Sequence, residues 1–211
     1  MTGLKLAAAL VCVLYGGWEC IRRKQPLFFK LLLYAMASYL LGTLFTAGYA
    51  LVYGHEPAGF HVGILGYMGT YFFLLSSYYG AINRLADGGE ARYRGYRLAA
   101  ASGPLLVLVL LAHSVRPGAG ACLTYALLCL PIAPTLYFSI KHLILPDVDL
   151  GIIRVMRPYN ACVIVFCIVQ VLLQAPACTG LDIRAAGSVL SSVLLMTLLP
   201  MAEMGVRKWF I

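Results

Sequence analysis

Charge is what this chain has least of. Its 211 residues include 8 acidic and 16 basic side chains, so 11% are charged, where an ordinary soluble domain has roughly a quarter. So little charge cannot coat a water-soluble globule, which excludes a cytosolic enzyme and a disordered chain. The seven cysteines (Cys12, Cys20, Cys122, Cys129, Cys162, Cys167 and Cys178) are scattered and form no Cys-x-x-Cys. That removes a thioredoxin-like redox motif, a zinc ribbon and a disulfide-stapled secreted domain. Alternating ten-residue apolar segments, the mark of an outer-membrane barrel strand, are also missing. What remains is apolar: 62% of residues are hydrophobic and the mean hydropathy is +0.86. The class this leaves is an all-α, polytopic integral membrane protein.

A helix crosses the hydrocarbon core with about 20 largely apolar residues. Seven runs qualify, at 4–20, 27–53, 60–82, 98–115, 120–140, 152–174 and 186–206. Short loops rich in Lys and Arg stay in the cytoplasm. Thirteen of the sixteen basic residues fall on one side of these spans, among them Arg22, Arg23, Lys24, Arg92, Arg94, Arg97, Lys141, Arg154, Arg157 and Arg207; only Lys5, Arg116 and Arg184 fall on the other. With acids subtracted, the sides carry +7 and +1. The expected arrangement is a multi-pass protein of the cell membrane, N-terminus outside and C-terminus cytoplasmic, with the lipid bilayer as its partner. The net charge of +8 is then a topology signal and requires no nucleic acid. A secretory signal carries its positive charge before the apolar stretch; here Arg22-Arg23-Lys24 follows it, so the first run is expected to be a retained span.

No connection between spans is long enough to form a domain, so residues 1–211 read as a single seven-helix unit. A signalling role would work through a separate protein partner. The spans also permit a 3+1+3 organisation: 1–84, a linker helix at 98–115, and 120–206. The second helix of each half opens on a related phrase, Arg23-Lys24-Gln25-Pro26-Leu27-Phe28 and Arg154-Val155-Met156-Arg157-Pro158-Tyr159. Proline suits a first helical turn, where its missing N–H would be unpaired anyway, so shared local rules explain the phrase as well as a parallel repeat does. The Pro-Gln dipeptide of PQ-loop transporters is absent, since Gln25-Pro26 has the reverse order.

Polar side chains at helical spacing mark the faces that turn away from lipid. The second span has Tyr34, Ser38, Gly42, Thr46, Tyr49 and Tyr53; the third has Gly63, Gly66, Tyr67, Thr70, Tyr71 and Ser77; the sixth has Asn160, Cys167, Gln170 and Gln174; the seventh has Ser188, Ser192 and Glu203. From these, the candidate ligand-binding residues are Tyr34, Ser38, Tyr67, Thr70, Tyr71, Asn160, Gln170, Gln174, Ser188 and Ser192. The same stripes also serve helix packing, because small residues let membrane helices approach and hydroxyls and amides bond between them. Pro131 and Pro134 in the fifth span are expected to kink it, and Pro200 the seventh.

Catalytic constellations are thin. Asp87-Gly88-Gly89-Glu90-Ala91-Arg92 resembles the opening of the CDP-alcohol phosphotransferase signature, whose further aspartates hold divalent metal. Tyr93 through Leu111 contains no acid, so that metal site cannot assemble. Asp147 and Asp149, flanked by Pro146 and Gly151, read as a solvated turn near Arg154 and Arg157. His55, Glu56, His61 and His113 match no compact zinc or haem site. Glu19 and Glu203 lie near Arg22, Arg23, Arg207 and Lys208, so interfacial ion pairing is expected. The seventh span has no lysine, which excludes a retinal Schiff base there. Cys122 and Cys178 are the one pair expected at the outer face, where a disulfide can persist.

No cofactor, metal site or catalytic set is assigned. The leading expectation is a protein that binds or translocates an unidentified small molecule or lipid in a polar cavity between the second, third, sixth and seventh helices. The alternatives are an accessory or sensor subunit, and a lipid-modifying membrane enzyme using Asp147 and Asp149.

Overall fold

The computed structural model describes residues 2–79, 90–114, 119–146, 152–175 and 181–210. Its helices are α1 (Thr2–Arg22), α2 (Leu27–Tyr53), α3 (Val62–Ser77), α4 (Arg94–Ala100), α5 (Ser102–Ser114), α6 (Ala119–Ile144), α7 (Ile152–Gln174) and α8 (Leu181–Phe210). A 3-10 turn at Ala91–Tyr93 leads into α4, and α4 and α5 together make the fourth span. No strand occurs among the described residues. Six stretches, at 2–22, 27–53, 91–113, 123–144, 154–174 and 184–207, are long and apolar enough to cross a bilayer. The seventh, α3, is shorter at 16 residues, or about 24 Å of helix. The fold is a seven-helix membrane bundle.

Helix ends follow local chemistry. Pro26 precedes α2 with φ −66° and ψ 163°, and Gly54 ends it in the left-handed region at φ 76°, its N–H bonding the Ala50 carbonyl at 2.9 Å; glycine takes that conformation without a Cβ penalty. The break at Ala101 precedes Pro104, which has no N–H for a carbonyl one turn back. Pro158 lies inside α7, not at its entrance as the resemblance to Pro26 suggests, because α7 starts at Ile152. The helix α6 continues through Pro131 and Pro134, where Thr135 Oγ1 donates to the Pro131 carbonyl at 2.7 Å and Ser139 Oγ to the Thr135 carbonyl.

In space, α1, α2, α3, α6, α7 and α8 pack in that order as a ring, which α1 and α8 close; the fourth span leans on α6 from outside. Its outward positions are apolar, including Leu98, Leu105, Leu108 and Val109. The interior is filled by Phe29, Leu32, Met36, Leu74, Ile132, Leu136, Phe166, Leu195 and Leu198. Between α2 and α3 the two backbones come close together. A Cβ on Gly66 would stand 2.6 Å from the Gly42 nitrogen, and one on Gly42 would stand 2.8 Å from the Gly63 oxygen. These glycines let two backbones touch, the small-residue packing that membrane helices use in place of a hydrophobic drive.

The packing sets two ends. Thr2, Lys5, Glu56, Gln174 and Arg184 gather at one. At the other, Arg23 lies 3.9 Å from both Glu19 and Glu203, and Arg207 pairs with Glu203. Tyr15 donates its hydroxyl to Glu203 as well. Both acids are buried while the arginines reach outward, so the pairing of Glu19 and Glu203 with arginines expected from sequence is present.

Candidate functional site

At the Lys5 end, four segments surround a cavity of about 450 Å³. The start of α1 supplies Thr2 and Lys5, the α2–α3 connection supplies Glu56, and α7 with α8 supply Leu173, Gln174, Arg184, Ala185 and Ser188. Thr2 Oγ1 donates to Glu56 Oε1 at 2.6 Å. A second cavity of about 230 Å³ lies among the α2–α3 connection, α3, α6 and α7, with His61, Ile64, Thr124, Tyr125, Leu128 and Gln174 in its walls. Gln174 lines both. His61, just before α3, stacks on Phe45 with ring centroids 5.6 Å apart and planes at 11°. Burial holds its imidazole below the ordinary value of 6.5, since a charged ring loses solvation there.

One turn deeper, about 6 Å along α7, Gln170 donates through Nε2 to Ser191 Oγ on α8. The Tyr39 hydroxyl from α2 lies against the same pair. Tyr39 also meets Tyr67 edge-on at 5.3 Å, and the Tyr67 hydroxyl is 3.4 Å from Thr46 Oγ1. Four helices thus contribute to one buried polar layer. Beneath it the interior closes: Phe166 is fully buried, with its ring 6.3 Å from Tyr39 and 6.2 Å from Tyr71.

A further polar group lies beyond Phe166. Tyr78 donates its hydroxyl to Asn160 Oδ1 at 2.8 Å, and Tyr159 packs beside Tyr78 with centroids 6.0 Å apart. The aromatic plug therefore divides the ten candidate residues. Gln174 and Ser188 line the large cavity, Gln170 and Tyr67 belong to the layer beneath it, and Asn160 is on the far side. Tyr71 is part of the plug. Thr70 and Ser192 spend their hydroxyls on their own helices, bonding the Gly66 carbonyl at 3.1 Å and the Ser188 carbonyl at 2.8 Å. Ser38 packs where a Cβ on Gly69 would lie, 3.1 Å from its Oγ. Tyr34 is 51% exposed on the outside of the bundle, against Phe73.

Tyr34 is displaced for a simple reason. The interior face of α2 runs Phe28, Leu32, Ala35, Tyr39, Gly42, and Tyr34 is one residue, about 100°, off that line. Sequence reading missed Tyr39, Ser191, Lys5, Glu56 and Arg184. The spacing of the buried α2 residues carries a signal for Tyr39, whereas the three charged residues meet only through the tertiary fold. Asp87, Asp147, Asp149 and Cys178 lie outside the described residues, as does the side chain of Cys122.

No protein-family model matches this chain, and neither a curated protein nor a solved structure is similar to it.

Proposed function

We propose that this membrane protein binds a small molecule in the polar cavity at its Lys5 end, with the Gln170–Ser191–Tyr39 layer as the floor of the binding region. The observation that carries this reading is a cavity of about 450 Å³ whose base residue, Gln174, stands one helical turn above a buried amide–hydroxyl–phenol group. Ligand sites are clefts of a few hundred Å³ with convergent polar groups, and this cleft brings together Thr2, Lys5, Glu56, Gln174, Arg184 and Ser188. The charge bias of the loops supports an outward-facing mouth. Binding alone needs no rearrangement. Translocation past this layer would need Phe166, packed against Tyr39 and Tyr71, to move.

Native mass spectrometry of the detergent-solubilised chain from its natural membrane tests the proposal. A small molecule is expected to stay bound to the wild type and to be lost in Gln174→Leu and Gln170→Leu, with the helical content of both unchanged. Retention of the molecule in both variants overturns it. An empty bundle isolated with a protein at fixed stoichiometry also overturns it, in favour of an accessory subunit.

A further inference from the structure

Asn160 stands on the far side of the aromatic plug and is fully buried. Its Oδ1 accepts the Tyr78 hydroxyl at 2.8 Å, while its Nδ2 meets no acceptor among the described residues. A primary amide carries two N–H donors on that nitrogen, and a buried donor without an acceptor bears the whole cost of leaving water. Turning the amide over exchanges its ends and leaves the carbonyl oxygen unmet instead, so either orientation asks for one more partner.

The surroundings narrow what that partner is. The hydroxyls of Tyr159, Ser77 and Ser139 lie beside the Tyr78–Asn160 pair, brought there by α7, α3 and α6. Ser77 gives its proton to the Leu74 carbonyl at 2.7 Å, and Ser139 gives its own to the Thr135 carbonyl. Both serines therefore offer the group only lone pairs. All five side chains are fully buried.

We infer that the Tyr78–Asn160–Tyr159 group holds a resident water molecule, in a hydrogen-bonding site across the Phe166 plug from the Lys5 cavity. Water accepts from Nδ2 while donating to a serine or phenol oxygen, and it serves the turned amide equally well. A carbonyl compound only accepts, and a cation would face the unmet N–H donors. An internal water is held by about three hydrogen bonds to buried polar groups, and here three helices supply them. The inference stands independently of the polar cavity at the other end. It also changes the shape of the barrier. Asn160 and Gln170 are ten residues apart, about 15 Å along α7. A polar layer thus flanks Phe166 on each side, and the dry stretch between them is about half of the roughly 30 Å hydrocarbon core.

X-ray radiolysis of the full wild-type chain in neutral detergent tests this, because bound water yields hydroxyl radicals that add oxygen to the side chains beside it. Tyr78 and Tyr159 are expected to gain oxygen despite their burial, and to gain the heavy isotope after exchange into heavy-oxygen water. Phe29 and Phe166, equally buried but away from this group, should stay unmodified. In Asn160→Leu the labelling of Tyr159 should be lost. Unmodified Tyr78 and Tyr159 in the wild type overturn the inference. Equal modification of the two phenylalanines also overturns it, in favour of general solvent entry. Labelling that persists in a folded Asn160→Leu variant removes the amide from the site and overturns it too. If that variant does not fold, the wild-type pattern decides alone.

Discussion

Gln170 and Ser191 bond across the α7–α8 contact with both side chains buried, and removing either leaves the other with only the Tyr39 hydroxyl. Gln170→Leu and Ser191→Ala should each lower stability by about 1 kcal/mol, the scale of such bonds in membrane bundles. The double variant should lose less than the sum, because the orphaned partner goes with the pair. Unfolding in mixed detergent would measure this coupling; strict additivity would mean that the two groups do not share a bond.

Gly66→Ala should be the most damaging small substitution in α3. Its methyl group would meet the Gly42 backbone, which cannot yield as a side-chain end would, and overpacking of this kind costs about 1–3 kcal/mol. Gly48→Ala is the control on α2, with nothing within 4 Å of the added carbon, and should be neutral or slightly stabilising. Melting temperatures that fall equally in the two variants would contradict the close approach.

Glu203 receives Tyr15, Arg207 and Arg23. Glu203→Ala should cost about 1–2 kcal/mol, the arginines being partly solvated and their attraction discounted accordingly. Arg207→Gln should cost less, since Arg23 and Tyr15 still face the carboxylate. Thermal unfolding of the two variants gives the order, and the reverse order would remove Glu203 from the centre of the cluster.

His61 should make the protein acid-sensitive. Its folded pKa is depressed by burial, so just below pH 6.5 the unfolded chain binds the proton and the folded one does not. Stability therefore falls as pH drops below 6.5, and it levels off once the folded imidazole also protonates. His61→Phe keeps the ring against Phe45 and should flatten that dependence while leaving stability at pH 8 nearly unchanged. An identical pH profile in the variant would assign the acid sensitivity elsewhere.

Tyr34→Leu should leave ligand retention untouched, in contrast to Gln174→Leu. The comparison also shows how far the sequence could be read. Hydrophobic length set the spans well, and 27–53 and 152–174 coincide with α2 and α7. Rotation about a helix axis was harder, because lipid is as apolar as the protein interior and a tyrosine at the membrane boundary resembles one in the core. Tyr34 and Tyr39 were therefore indistinguishable by polarity, and only the Phe28–Leu32–Ala35–Tyr39–Gly42 line separates them. Gln170 was legible as a mid-span amide that needs a partner, and Ser191 is that partner. The fourth span begins ahead of the expected residue 98, because its first turns, Arg94–Ala100, carry arginines that polarity assigns to a loop. Lys5, Glu56 and Arg184 had no mutual signal, each being an ordinary charge near a helix end until the ring brings them together.

The contact between α1 and α8 has a consequence for biogenesis. Cys12 bonds the Leu195 carbonyl and Tyr15 bonds Glu203 across an interface that joins the earliest described helix to the latest. A chain emerging from the ribosome can stack α1 through α7 as an open crescent, with the Cys12–Tyr15–Gly16 edge of α1 waiting in lipid. Only insertion of α8 seals the crescent. Insertion of α8 is then the event that forms both the Lys5–Arg184 mouth and the Glu203 lock, and a product lacking α8 leaves the Cys12–Tyr15 edge of α1 without its partners.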